Sequence, residues 1–421
     1  MIALLLCSLW AIFLLVLYLA TPHLLSKYKN LNIKVGWLVV LTVALVVRLM
    51  PNFVLATGAG YDIESYKIVG NLVLQGEDIY SSQETENRHP YLPLQMYWMA
   101  LSSHFSEQFH FSFERIVRLV PILADVTIAL VLYFFTLKTT TQYLALTAGL
   151  LYAVNPITTY VSAYHGQFDA LPSLFTLLAL YGFRRNAEIS GAWVGLGILA
   201  KSWPVLAVPP LLVKIKSWKK RVIFIVILLS VLSVGIGLYI FLTKADVSPL
   251  FSRVLGYNRG IGVWGYTYLV RLLTFIKPNL SNLYTWLIKY GRWITILGLG
   301  LVWWWANLHR KLPQEIFLAI LVSFFCVTHA FAIQYLSWIV PFAIVCQEYS
   351  WLKRFVLAAF AYMFLAYTTF ILGMYIENLI PLPQADWLII IPAGLPAWLV
   401  CISWTKKLLN NRWEVDHAVG D

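Results

Sequence analysis

Two carboxylates raise the question of chemistry. Asp62 and Glu64 stand in GAGYDIESYKIVG, residues 58–70, directly after a long apolar run. A carboxylate within hydrogen-bond reach of a hydroxyl takes its proton as the oxygen attacks carbon. Asp62 follows the end of an apolar run rather than a free loop tip, which favours a fixed position. The competing role is to cap the helix that IESYKIV begins. Glu64 lies two residues on. In an extended turn it would share a site or a metal with Asp62, and on a helix it would point elsewhere.

A second polar group is AYHGQFDALPS, carrying His165, Gln167 and Asp169. On one helix His165 and Asp169 would share a face; the other reading is a polar turn broken by Gly166. Cations come next. Arg118, Lys201, Arg253 and Arg259 lie in or beside apolar segments, and arginine suits phosphate because its planar fork binds two oxygens at once. Arg48 sits inside an apolar run and requires a buried partner. Aromatic and polar side chains accompany these charges. Tyr91 lies in HPYLPLQMYWMAL, Tyr257 and Trp264 in SRVLGYNRGIGVWGYTYL, and Gln334 and Tyr335 in IQYLSWIVP. They would line a sugar, or form an interfacial aromatic belt. The four cysteines, 7, 326, 346 and 401, lie in or beside apolar runs without paired spacing, which reads as burial. No Cys/His cluster with metal-ligand spacing is visible.

The elements that must position these residues are membrane helices. The 421-residue chain is 60% hydrophobic and 12% charged, with mean hydropathy +0.74, too little polar surface for a soluble protein of this length. Runs such as MIALLLCSLWAIFLLVLYLA reach the ~20 residues that cross ~30 Å of hydrocarbon. They are continuous rather than alternating, so they are helices. The first run lacks a basic leader and a small-residue cleavage site, and reads as a retained span. The pattern predicts an all-α, polytopic transmembrane bundle of about 12–13 spans or half-spans at that length. It forms one membrane-embedded unit over 1–421. Two longer segments lie on one face, 57–112 and 244–282. The first holds short amphipathic helices, IESYKIVGNLVLQG with Gly76 as its stop, and YLPLQMYWMALSSHF.

The net charge of +12 is topological. The basic excess concentrates in the loops at 21–34, 138–141, 184–188, 214–221, 309–313 and 347–354 and in the tail, which marks that side as cytoplasmic. No nucleic-acid partner is implied. The opposite, outer face carries Asp62 and the two long segments. Cytoplasmic loops are short and no glycine-rich phosphate loop opens a helix, so the work is external. The segment 189–213 has basic sequence on both flanks and KSWP in its middle. It is expected to dip in and return as two half-helices that meet at Lys201–Pro204, with Lys201 facing a cavity or snorkelling to the interface.

The order of these pieces resembles the GT-C superfamily of integral membrane glycosyltransferases. An Arg-bearing span leads into an acidic outer motif (Arg48, then Asp62 and Glu64). Then come HPYLPLQMYWMAL, FERIVRLVPILADVTIALVLYFF, HGQFDALPSLFTLLALY, GLGILAKSWPVLAVPPLLV and GVWG. The chain is most similar to polyprenol-phosphate-mannose-dependent enzymes of glycosyltransferase family 87 and to GPI mannosyltransferases.

The resemblance implies a polyprenyl-phosphate monosaccharide donor, with mannose or another hexose as the sugar. It implies a lipid- or glycan-linked acceptor, an extracytoplasmic site in a bacterial plasma membrane, and inversion at the sugar carbon. Asp62 maps onto the general base. Asp62 and Glu64 are the expected catalytic carboxylates, although many relatives carry paired Asp where this chain has Asp-x-Glu. A divalent metal is not favoured, and no other cofactor is expected. Lys201, Arg253, Arg259 and Arg118 are the expected donor-phosphate cations. His165, Gln167, Asp169, Tyr91, Tyr257, Trp264, Gln334 and Tyr335 are the expected acceptor and sugar contacts. The rivals are a lipid-linked-sugar transporter or flippase, for which no internal repeat is visible, and a non-catalytic membrane subunit.

Overall fold

The computed structural model describes residues 2–26, 35–55, 59–183, 185–257, 260–309, 311–376 and 390–410. The protein is an all-α, polytopic integral membrane protein. Among the described residues four helices are long and apolar enough to cross a membrane, and a bent pair, Gln142–Ala153 with Pro156–His165, makes a fifth. The long helices are α1 (Ile2–Ser26), α2 (Gly36–Val54), α6 (Leu119–Leu137) and α12 (Trp218–Thr243). In the first outer segment, α3 is Gly60–Leu74, α4 Leu94–Phe109 and α5 Phe113–Val117. The expected apolar pattern of α3 is buried at Ile63, Tyr66, Val69 and Leu72, and the chain turns at Gly76 with φ +75°. These residues pack onto protein: Gly70 leaves room for the Met99 carbonyl of α4, which a Cβ would meet at 2.5 Å.

A buried ion pair fixes the helix that delivers α3. Arg48 Nε lies 2.6 Å from Asp125 Oδ2 of α6, with the two side chains 0% and 1% exposed. The rest of the guanidinium donates to Ala153 O at 2.6 Å and Thr158 Oγ1 at 3.2 Å, while Ser162 Oγ and Tyr152 OH donate to the Asp125 carboxylate. Charges in a low-dielectric interior are costly unless paired and hydrogen-bonded, and this pair is both. This cluster therefore ties α2 to α6, to α7 (Gln142–Ala153) and to α8 (Pro156–Thr159), where Asn155 caps the new helix and Pro156 takes its first position. Arg48 has the partner its burial demands, and that partner lies 77 residues away.

The chain then dips twice. A π-helical turn, Tyr160–His165, ends at Gly166, whose φ of +81° only glycine adopts without strain. A Cβ there would also meet Arg118 Cγ at 2.9 Å and Ile63 Cδ1 at 3.1 Å. His165 and Asp169 accordingly do not share one helix face, because Gly166 separates the π-turn from α9 (Ala170–Gly182). The short helices α9, α10 (Ala187–Ala200) and α11 (Val208–Lys214) follow. At 1.5 Å per residue, α9 and α10 each span only about 20 Å. Lys201 ends α10, and a 3₁₀ turn, Trp203–Ala207, leads into α11.

Both ends of this segment meet. Lys220 Nζ lies 3.6 Å from Glu188 Oε1, and Arg185 and Lys214 line one cavity of about 670 Å³. A straight crossing would put these ends on opposite sides of the bundle, so residues 187–214 enter and leave at one end. The expected outcome is that Asn186→Cys and Ser217→Cys are both shielded from an impermeant thiol reagent added outside intact cells. Labelling of either from outside contradicts this topology.

Helices α13 (Val247–Gly256), α14 (Gly265–Ile276), α15 (Ser281–Leu308), α16 (Pro313–Val327), α17 (Ile339–Val345) and α18 (Tyr349–Ile376), followed by Leu395–Asn410, complete the bundle.

Candidate active site

Asp62 is in the first turn of α3, but it does not cap it. The N-cap is Ala59, which makes no side-chain hydrogen bond. The carboxylate instead crosses to the glycine turn. Asp62 Oδ2 lies 2.6 Å from His165 Nε2 and accepts from Gln167 Nε2 at 2.7 Å. On its far side His165 Nδ1 lies 2.8 Å from Tyr367 OH of α18. With Nε2 carrying the proton toward the carboxylate, Nδ1 accepts from the tyrosine hydroxyl, and the imidazole is fully used. Asp62 Oδ1 has no partner among the described residues, and the side chain is 31% exposed. Burial alone would raise the Asp62 carboxyl. The hydrogen bonds from His165 and Gln167, with the Lys201 charge, outweigh it and hold the group below its ordinary value.

Gln167 joins this carboxylate to a second one. Its Oε1 lies 3.5 Å from Lys201 Nζ, and Lys201 Nζ lies 2.6 Å from Asp169 Oδ2. The ammonium sits over the Tyr91 ring at 4.8 Å. Asp169 Oδ1 accepts from Trp338 Nε1 at 2.6 Å, and Trp338 stacks between Trp203 and Tyr335 at 4.8 and 4.1 Å. The Lys201 and Asp169 side chains are 4% and 0% exposed. Lys201 thus meets a carboxylate at the tip of its half-helix; it neither snorkels nor faces an open cavity.

Arg118 has the opposite character. It is 1% exposed, and its Nε and Nη2 are buried without a hydrogen-bond partner among the described residues. It forms no ion pair among the described residues, and its side chain packs on Gly166, between His165 and Gln167. A guanidinium buried this way costs several kcal/mol unless an anion arrives.

The remaining expected residues fall elsewhere. Glu64 lies two residues along α3 from Asp62, about 200° round the helix. Its carboxylate is 63% exposed and 3.9 Å from Arg88 Nη2, so it does not share Asp62's site. Trp264 is no sugar platform, because its ring is 2% exposed, stacks on Phe331 at 4.0 Å and donates to Phe325 O. Arg253 donates to Ile79 O, Ser82 O and Thr85 Oγ1, clamping the first outer segment onto α13. Tyr257 is 39% exposed and lines a cavity beside that clamp. Gln334 is buried at the turn that carries Tyr335. Arg259 lies outside the described residues. Among those described, no three His, Cys, Asp or Glu side chains stand together as a metal site would require.

Sequence reasoning missed Tyr367 and Asp125. Asp125 is the one carboxylate of α6 and Tyr367 one of several tyrosines of α18, and Arg48 and His165 lie 77 and 202 residues from them.

Residues 89–244 match the family model of dolichyl-phosphate-mannose-protein mannosyltransferases, in agreement with the GT-C resemblance. That stretch holds Tyr91, Arg118, the glycine turn and Lys201, while Asp62 precedes it. The chain is also similar to the GPI transamidase component GAB1 of Saccharomyces cerevisiae, at 28% identity over 140 residues. That similarity covers 30% of this chain and 34% of the yeast protein, so the chain spans about a third of the length of the curated relative it matches.

Proposed function

We propose that the protein moves a hexose, mannose by the family match, from a polyprenyl-phosphate donor to a hydroxyl of a lipid- or glycan-linked acceptor. The observation that carries this reading is the state of Asp62: one oxygen is held by His165 and Gln167, and the other has no partner among the described residues on a side chain 31% exposed. A carboxylate oriented through one oxygen is preorganised to take a proton through the other. The acceptor hydroxyl gives its proton to Oδ1 as its oxygen bonds to the anomeric carbon. The bond from that carbon to the phosphate oxygen breaks on the opposite face, and its electron pair leaves with the lipid phosphate. Attack opposite the leaving oxygen inverts the sugar carbon, and the charge asymmetry of the loops supports a reaction on the outer face.

Arg118 is the cation best placed to hold the phosphate, because its guanidinium is buried, makes no ion pair among the described residues and lies against the turn that orients Asp62. Charge that grows on the leaving phosphate is then met by a donor already in place. Lys201, neutralised by Asp169, is a positioning residue that fixes Gln167. The expected result for Arg118→Met is at least tenfold weaker binding of polyprenyl phosphate with no loss of melting temperature, since the variant removes an unpaired buried charge. Unchanged binding takes Arg118 out of the site.

The yeast relative supports a second reading, in which the chain serves as a non-catalytic component of a transamidase assembly. Mass spectrometry of lipid-linked glycans separates the two. Cells lacking the protein accumulate a lipid-linked species one hexose short, and Asp62→Asn reproduces it, if the chain is the transferase. Full complementation by Asp62→Asn favours the subunit.

A further inference from the structure

A cavity of about 620 Å³ opens between the middle of the first outer segment, residues 80–90, and α13, and nothing in the proposed reaction uses it. One of its walls is His89, a side chain 1% exposed whose Nδ1 and Nε2 are both buried without a hydrogen-bond partner among the described residues. Two orphaned ring nitrogens are an expense that folding alone does not explain, since each unsatisfied buried polar group costs about 1–3 kcal/mol. A phenylalanine of the same shape would avoid it.

The chemistry of the walls selects the ligand. Burial, with the nearby charges of Arg253 and Lys201, pushes His89 down to about 3, so it is neutral at working pH. A neutral imidazole offers one donor and one acceptor, the combination a hydroxyl satisfies and a phosphate does not. Arg253 Nη1 and Nη2 are already given to Ile79, Ser82 and Thr85, and Glu86 on the same wall disfavours an anion. Asn87 and Ser252 add neutral polar groups, and Tyr257 an exposed ring. The volume lies within the 300–1,000 Å³ usual for small-ligand sites.

The cavity also lies next to the reacting centre. His89 meets the Tyr91 ring edge-on at 5.4 Å, and the same Tyr91 ring lies beneath Lys201.

We infer that this cavity is a subsite for a neutral sugar, the part of the acceptor beyond its reacting hydroxyl, with His89 reading one of that sugar's hydroxyls. The inference rests on the glycosyl-transfer reading for the identity of the sugar, but its test does not need turnover.

Saturation-transfer NMR on the full-length protein in detergent, with methyl mannoside and methyl glucoside as probes and inorganic phosphate as competitor, reads the subsite directly. The expected result is binding of at least one glycoside, unaffected by phosphate. His89→Phe weakens it at least tenfold without lowering the melting temperature. His89→Gln, which keeps a donor and an acceptor, retains part of it. A merely structural histidine gives equal binding in all three proteins, and that result overturns the subsite, as does displacement of the glycoside by phosphate. Sugar binding that depends on His89 in a protein unable to consume a polyprenyl-phosphate sugar leaves the subsite standing and removes the transferase reading.

Discussion

Asp62→Asn lowers sugar transfer by about 10²–10⁴-fold, the range lost with a general base, and leaves binding of the donor lipid within a few-fold of normal. The amide keeps the shape of the carboxylate and still offers an oxygen to His165 and Gln167, so the local fold survives. What it loses is the ability to accept a proton at the open position. The lowered carboxyl value adds a pH signature. Asp62 is ionised in the folded protein at lower pH than in the unfolded chain. Its contribution to stability is therefore present above the ordinary carboxylate value and is lost as pH falls through the lowered one. For the same reason the acidic limb of kcat/KM lies below the ordinary carboxylate range, not near neutrality. A limb near pH 7 assigns the base to another group. The measurement is turnover against pH with the purified protein.

Asp169→Asn produces the second large effect, on stability. Lys201 and Asp169 form an ion pair 4% and 0% exposed. Removing one partner of such a pair strands the other charge and costs about 3–5 kcal/mol. Asp169→Asn and Lys201→Met each lower the melting temperature in detergent by several degrees or more. The double variant Lys201→Met/Asp169→Asn recovers part of that loss, because neither charge is left unpaired. It does not recover transfer, because Gln167 has lost the ammonium that orients it toward Asp62. Additive losses in the double variant contradict the pairing. Recovered transfer contradicts the positioning role.

Both effects reside in residues whose types were conspicuous in the sequence. Asp62 after a span, His165, Gln167 and Asp169 around a glycine, and Lys201 in a broken apolar run were readable because charge is rare in such a chain. The helical plan was equally legible, since lipid forces every backbone group into helices and makes apolar length a direct signal. The half-helices at 187–214 were readable from basic residues on both flanks.

What stayed hidden was partnership. Nothing local indicates that Asp62 would turn from its own helix end to His165, 103 residues on, or that Lys201 would find Asp169. Trp264 misled because an aromatic beside glycines looks the same whether it faces a sugar or packs on Phe331. Glu64 misled because two residues along a chain are close in a turn and opposed on a helix. The solitude of Arg118 and His89 is a property of the packed interior, visible only once every neighbour is placed.

The most direct test supplies the purified protein with a polyprenyl-phosphate hexose labelled at its anomeric carbon, together with lipid extract from cells lacking the protein. The account predicts that the wild-type chain moves the label onto an extract lipid, with inverted anomeric configuration by NMR and release of polyprenyl phosphate, and that Asp62→Asn does not. Intact donor after incubation with the wild-type protein, or equal transfer by Asp62→Asn, would contradict it.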